Sequence, residues 1–274
     1  MLKRWLSHPL TRNLDLNDPL MTHQRRTIIQ QKPFLKAIYH EWYTALAAAI
    51  PAGHAPVLEL GSGAGFLHDY LPNLITSEIF PCPDIHAVLS GHDLPFATRS
   101  LRAIVMTDVL HHIPQPRRFF HEVTRCVRPG GCVAMVEPWV TDWSRFIYTH
   151  LHHEPFLPES PTWEFATSGP LSGANGAMPW ILFARDRTRF EQEYPALRIQ
   201  TIQPMMPFRY LVSGGVSLRS LMPGWTTGLW RNVETRLHAA MPRLAMFAFI
   251  VIERIDVSNK GETNDDQTRS NTTG

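Results

Sequence analysis

The chain has 274 residues, of which 44% are hydrophobic, 10% aromatic and 18% charged. That length suits one large domain or two small ones, and the balance excludes a disordered chain and a highly charged coiled coil. The 26 basic and 24 acidic residues leave a net charge of +2 with no dense Lys/Arg run, so no nucleic-acid partner is expected.

Cys82, Cys126 and Cys132 form no C-x-x-C pair, which points away from a disulfide framework or thiolate zinc site and towards a reducing cytoplasm. The first residues carry no apolar leader core, and the longest apolar stretch, around 246–252, is far shorter than the about 20 residues of a membrane span. A cytoplasmic chain without a transmembrane segment is expected. The 14 histidines are the compositional oddity, since His titrates near neutral pH.

Residues 1–32 read as polar and irregular. Pro33 then opens a helix over 33–50, because Phe34, Leu35, Ile38, Trp42, Ala45, Leu46 and Ala49 recur at helical spacing; residues 1–52 together form an N-terminal helical segment. Residues 56–60 are a short apolar run ending at Gly61, the first buried strand. A short helix over 66–71 stops at Pro72, and 74–79 is the second strand. Only 80–84 separate it from the third strand, against about a dozen residues for a usual parallel crossover, so the helix there is predicted to be missing.

Residues 103–107 are the next strand. Pro116 opens a helix with Phe119, Phe120, Val123 and Val127 on one face, Arg128-Pro129-Gly130-Gly131 turns the chain, and 132–137 is the strand that follows. This alternation predicts a doubly wound α/β core over 53–139. Between 140 and 196 Trp, His, Pro and Gly break the pattern over a length unusual for a connection, which predicts a substrate lid. Residues 197–256 complete the sheet with a strand over 198–202, a helix over 229–240 and a strand over 247–252, and 257–274 is predicted to be a disordered tail.

The chemistry lies in Val57-Leu58-Glu59-Leu60-Gly61-Ser62-Gly63-Ala64-Gly65, a strand running into glycines at every second position. Missing Cβ atoms let backbone N–H groups approach a ligand and free the turn's dihedrals. A tight turn without a ligand is the plain alternative. A dinucleotide fingerprint needs G-x-G-x-x-G, but the sixth position here is Phe66.

With DLPF (93–96), IVMTDVLHHI (104–113) and RCVRPGG (125–131) following in order, the stretch from about 56 to 138 resembles the class I S-adenosylmethionine-dependent methyltransferases with a type 11 methyltransferase domain. The resemblance implies a Rossmann-like seven-stranded sheet of order 3-2-1-4-5-7-6, its last strand antiparallel, with an inserted lid. It also implies S-adenosylmethionine across the carboxyl ends of strands 1 and 4, the topological switch point.

Under that resemblance Glu59 lies near the methionyl ammonium, Gly61, Ser62, Gly63 and Gly65 form the cradle, and Glu78 accepts from both ribose hydroxyls. Leu94 belongs to the adenine side, and Thr107 and Asp108 stand beside the sulfonium. The family places an adenine-holding acid four residues before the Leu-Pro-Phe leucine. Here that position is Ser90, while Asp93 adjoins Leu94, so either Ser90 or Asp93 takes that bond.

Methyl transfer is an in-line displacement that needs alignment, and a base only when the nucleophile carries a proton. His111 or His112 is a candidate base; the alternative makes both packing or capping residues. Trp139, Trp143 and Trp163, with His150, His152, His153 and Glu154, are expected to line the lid over an acceptor pocket. THLHHEPF (149–156) lacks the H-E-x-x-H spacing, so no metal is expected.

The expected activity is methyl transfer to a small or medium-sized acceptor. The apolar stretch 205–230 favours a hydrophobic or lipid-linked one with peripheral membrane contact. Two other classes stay open at this point: a nucleotide-binding Rossmann oxidoreductase, and a non-catalytic adenosylmethionine-binding protein.

Overall fold

A computed structural model describes residues 19–152, 154–167 and 173–257, with the isolated positions 9 and 169. All of the expected tail over 257–274 except Val257, together with His153, lies outside the described residues. The chain enters through two helices, α1 (Pro19–Gln31) and α2 (Pro33–Ala49). Proline fits the first turn of α2, where its missing N–H has no intrahelical partner, and Phe34, Leu35, Ile38, Trp42, Tyr43 and Leu46 form the buried face. Over 19–31, helix α1 corrects the reading of an irregular segment. Its polar sequence hides Ile28 and Ile29, both fully buried, and tertiary packing supplies what local periodicity does not.

Strands β1 (Val57–Leu60), β2 (Leu74–Glu78), β3 (Ala87–Val88), β4 (Leu101–Thr107), β5 (Val127–Pro138), β6 (Leu197–Met205) and β7 (Phe247–Arg254) form one sheet among the described residues. Their order is β3-β2-β1-β4-β5-β7-β6, as the resemblance implied. Strands β1 to β5 run parallel, and β7 is antiparallel to β5 and β6. Every residue of β1 is buried, as suits a parallel strand covered on both faces. The chain winds outward from β1 through β2 to β3, then in the other direction from β4 to β5. The crevice at the carboxyl ends of β1 and β4 is therefore the switch point, with Leu60 opposite Met106.

The helix expected over 66–71 is only a 3-10 turn at Leu67–Asp69, because Pro72 follows too soon for the ladder to extend. No helix lies between β2 and β3, as the short spacing predicted. Strand β5 begins at Val127 rather than at 132. Gly130, at φ 77°, carries the RPGG segment along the sheet, and Val127 pairs with Leu101 across a register shift.

Helix α3 (Pro116–Cys126) precedes β5, and α4 (Asp142–Leu151), α5 (Met178–Trp180) and α6 (Arg187–Glu193) lie between β5 and β6. Much of the 140–196 segment is firmly packed. Trp163, Phe183 and Phe190 are fully buried, and the last two meet Phe120 of α3 edge-on. Its irregular part crosses the loop after β4, where Asn175 N–H donates to the His111 carbonyl and Phe165 N–H to that of Pro114. Helices α7 (Arg209–Ser213) and α8 (Thr227–Arg236) are joined to α2 by buried Arg209, which donates to Glu234 and Glu41. The helix expected over 229–240 ends at Arg236 and continues as a separate 3-10 turn.

Candidate active site

Strand β1 delivers the glycine turn to the switch point. Gly61 has φ 65°, and a Cβ there would sit 2.5 Å from Val109 Cγ2, so the turn after β1 and the loop after β4 are in direct contact. Gly63 faces Glu78 at the end of β2: a Cβ on Gly63 would run into Glu78 Oε1 and lie 2.7 Å from Thr22 Cγ2 of α1. Glu78 accepts the N–H of Ile79 at 3.2 Å; burial pushes its carboxyl up, against the N–H groups of Ile79 and Gly63. Glu59, 3% exposed on a central strand, is pushed up to about 7 by burial, opposed by a hydrogen bond from Ser62.

Ser62 ties strands together. Its hydroxyl donates to the Glu59 carbonyl and accepts from Ser77 N–H, and its own N–H donates to the Ser77 carbonyl. Helix α1 lies over the turn: Arg26 donates to the Gly65 carbonyl at 3.4 Å and pairs with Asp84 at 3.0 Å. Between helix and turn is a cavity of about 10 Å³, lined by Thr22, Arg26, Gly63, Cys82, Pro83 and Asp84, with room for one water.

Beyond Gly61 the loop after β4 carries the second half of the site. Asp108 stands in the left-handed region at φ 63°, with its side chain 45% exposed. Thr107 Oγ1 is buried without a hydrogen-bond partner among the described residues. Glu137, fully buried near the end of β5, holds the loop: Oε1 accepts the N–H groups of Val109 at 2.9 Å and Leu110 at 2.7 Å, and Oε2 takes His111 Nδ1 at 2.8 Å. His112 Nδ1 meets the Gly173 carbonyl at 3.2 Å.

A carboxylate and a carbonyl only accept, so both Nδ1 atoms carry a proton; the neutral His112 ring keeps its lone pair on Nε2, and His111 offers one there once it gives up its second proton. Those Nε2 atoms face Glu154, at 3.6 Å from His111 and 3.9 Å from His112. Burial lowers the His111 pKa, but Glu137 and Glu154 outweigh it and leave it well above the usual value. Burial, then the charge of His111, brings His112 down to about 4. Burial alone would raise Glu154, but the flanking imidazoles hold it well below the usual carboxylate range.

The structure thus brings Glu59, Gly61, Gly63, Gly65 and Glu78 to one side of the crevice and Asp108, His111 and His112 to the other. Ser90 and Asp93 close a small bridge, with Ser90 Oγ accepting from His92 N–H, while Leu94 is buried and its N–H donates to Glu122. Trp139 is 6% exposed and part of the core, and His152 packs edge-on against Tyr148 and lies 3.9 Å from Glu154. Trp143 donates to the Pro207 carbonyl. Trp163 is an anchor of its segment and not an open pocket wall: it is fully buried, bonded to Asp186, and stacked by Arg117 and Arg189. Sequence reasoning gave Glu137 no role, although a carboxylate ending an otherwise apolar strand, V-A-M-V-E-P, is itself a signal.

Residues 58–135 match the family described as methyltransferase domain. No curated protein sequence matches the chain. Among solved structures, geranyl diphosphate C-methyltransferase from Streptomyces coelicolor A3(2) is 12% identical, with 91% of this chain and 92% of that one covered and a TM-score of 0.49. An S-adenosylmethionine-dependent methyltransferase from Mesorhizobium loti is 12% identical over 77% of this chain and 96% of that one, with a TM-score of 0.44. The [4+2]-cyclase SpnF is 11% identical over 78% and 80%, at 0.45. Similarities at this level leave the acceptor and the reaction to the site itself.

Proposed function

From the methyltransferase domain that residues 58–135 carry, we infer that this chain is an S-adenosylmethionine-dependent methyltransferase, and we propose a small or medium-sized, largely apolar acceptor. The observation that carries the cofactor assignment is the glycine turn set directly against Glu78 beside buried Glu59. Two ribose hydroxyls need acceptors, which the Glu78 carboxylate offers; a cationic methionyl end suits Glu59, whose ionisation burial otherwise disfavours; and Gly63, without a Cβ, lets the Glu78 carboxylate come right up to the turn. When bound, the cofactor supplies a methyl group on a positively charged sulfur. The chain's own residues hold donor and acceptor in line and exclude water from between them. At the acceptor end, His111 and His112 turn their Nε2 atoms towards Glu154 beside Asp108, a placement that suits a proton acceptor or a ligand.

An apolar acceptor is favoured by a stripe on α8 and the turn before it. Trp225, Leu229 and Val233, spaced by four, are 84%, 64% and 36% exposed, while Glu234 on the other side is buried against Arg209. Titration calorimetry with S-adenosylmethionine and S-adenosylhomocysteine tests the cofactor. Binding of both is expected, with a more than tenfold loss in Gly63→Val, and absence of binding to either would sink the assignment. Turnover separates an enzyme from a non-catalytic binder, and quenching of nicotinamide fluorescence on mixing would favour an oxidoreductase instead.

A further inference from the structure

One group of ligand-type side chains among the described residues converges on a common point: the donor atoms of His111, His112 and Glu154 all lie within 4.8 Å of one another. We propose that these three residues bind a first-row divalent cation of the zinc type on the acceptor side of the crevice, where it holds an oxygen or nitrogen of the acceptor. The acceptor's role rests on the methyltransferase reading; ion binding does not.

His111 Nε2 lies 3.6 Å from Glu154 Oε2 and His112 Nε2 lies 3.9 Å from Glu154 Oε1, so the two rings face the two oxygens of one carboxylate. Ligands about 2.1 Å from a tetrahedral centre stand about 3.4 Å apart, so donor atoms that already lie within 4.8 Å of one another need only side-chain adjustments of about 1 Å to share an ion. Each ring is also held from behind as a ligating imidazole is. His111 Nδ1 donates to Glu137 and His112 Nδ1 to the Gly173 carbonyl, which fixes the tautomer and aims Nε2 at Glu154.

Two imidazoles and one carboxylate select zinc, cobalt or iron over magnesium or calcium, which prefer all-oxygen shells. Three protein ligands leave a fourth position for a substrate atom. Asp108 marks the approach to it, with Oδ1 4.0 Å from His111 Nε2 and a side chain 45% exposed to solvent. Without an ion, the same residues pair Glu154 with the loop after β4.

The test uses the full chain, stripped with a chelator and titrated with Co²⁺ and Zn²⁺ by calorimetry and, for cobalt, by visible absorption. One equivalent is expected, with cobalt bands of nitrogen and oxygen ligation, and at least tenfold weaker binding in His112→Ala and in Glu154→Gln. His150→Ala, which alters an exposed histidine of the neighbouring helix, should bind as the parent does. No binding by the parent chain, or equal binding by parent, His112→Ala and Glu154→Gln, overturns the proposal. Circular dichroism and adenosylhomocysteine titration on each variant separate loss of ligation from loss of fold. If adenosylhomocysteine fails to bind while cobalt binds stoichiometrically, the methyltransferase reading falls and the metal site stands.

Discussion

Glu137 satisfies three donors at once, the N–H groups of Val109 and Leu110 and the ring of His111, while fully buried. Glu137→Ala strands all three away from water, and removing one partner of such a buried pair costs about 3–5 kcal/mol. Urea unfolding should register that loss as a lower midpoint. Glu59 answers to pH in the opposite sense from a paired carboxylate. Its folded pKa is raised from 4.5 to about 7 by burial, so the folded state binds more protons than the unfolded state between those values. Its contribution is therefore most favourable below about 4.5, falls as pH rises through 7, and levels off above. Glu59→Gln should match the parent near pH 5 and exceed it in stability at pH 8, compared by urea unfolding at both. Of these two residues the sequence singled out Glu59, because the glycine turn follows it; Glu137 acquires its role from partners on another loop, 26 positions away in the case of His111.

Helix α1 decides how the glycine turn is reached. Thr22 and Arg26 lie against Gly63 and Gly65, so α1 covers this side of the turn. Arg26 holds it through an exposed ion pair and one long hydrogen bond, contacts that contribute at most about 1 kcal/mol. Arg26→Ala should accelerate association of adenosylhomocysteine in stopped-flow measurements while barely changing the melting temperature; an unchanged rate would mean that α1 does not gate entry. The strands and α2 were legible because most strands are continuous apolar runs buried on both faces, while α2 buries residues at helical spacing. Helix α1 was not: its mean hydropathy is low, and what stabilises it is contact with a turn more than thirty positions later. The 3-10 turn in place of a helix after the glycines shows the opposite limit, a local pattern cut short by Pro72.

At the scale of the whole molecule, a net charge of +2 gives little long-range attraction to an anionic surface, so vesicle binding through the apolar stripe of α8 would depend little on salt. Co-sedimentation with phosphatidylcholine vesicles is expected to fall several-fold in Trp225→Ser/Leu229→Ser and to change little between low and high salt. Steep salt dependence, or indifference to the double substitution, would remove the case for membrane contact. The sequence by itself determined the class of sheet, its strand order through the resemblance, and the half of the crevice built from Glu59, the glycine turn and Glu78. The class of sheet and the glycine turn depend on backbone dihedrals, missing Cβ atoms and short-range patterning, all written locally in the chain, whereas the strand order followed only from the resemblance. Only the tertiary structure decided that Glu137 would orient His111, that Glu154 of the histidine-rich segment would meet His111 and His112, and that α1 would cover the turn. Each is a meeting of residues distant in sequence, set by how the crossover after β5 and the entering helix fold back on the carboxyl end of the sheet, where no spacing rule along the chain applies. Part of the histidine excess thereby gains a place, at the acceptor side of the crevice.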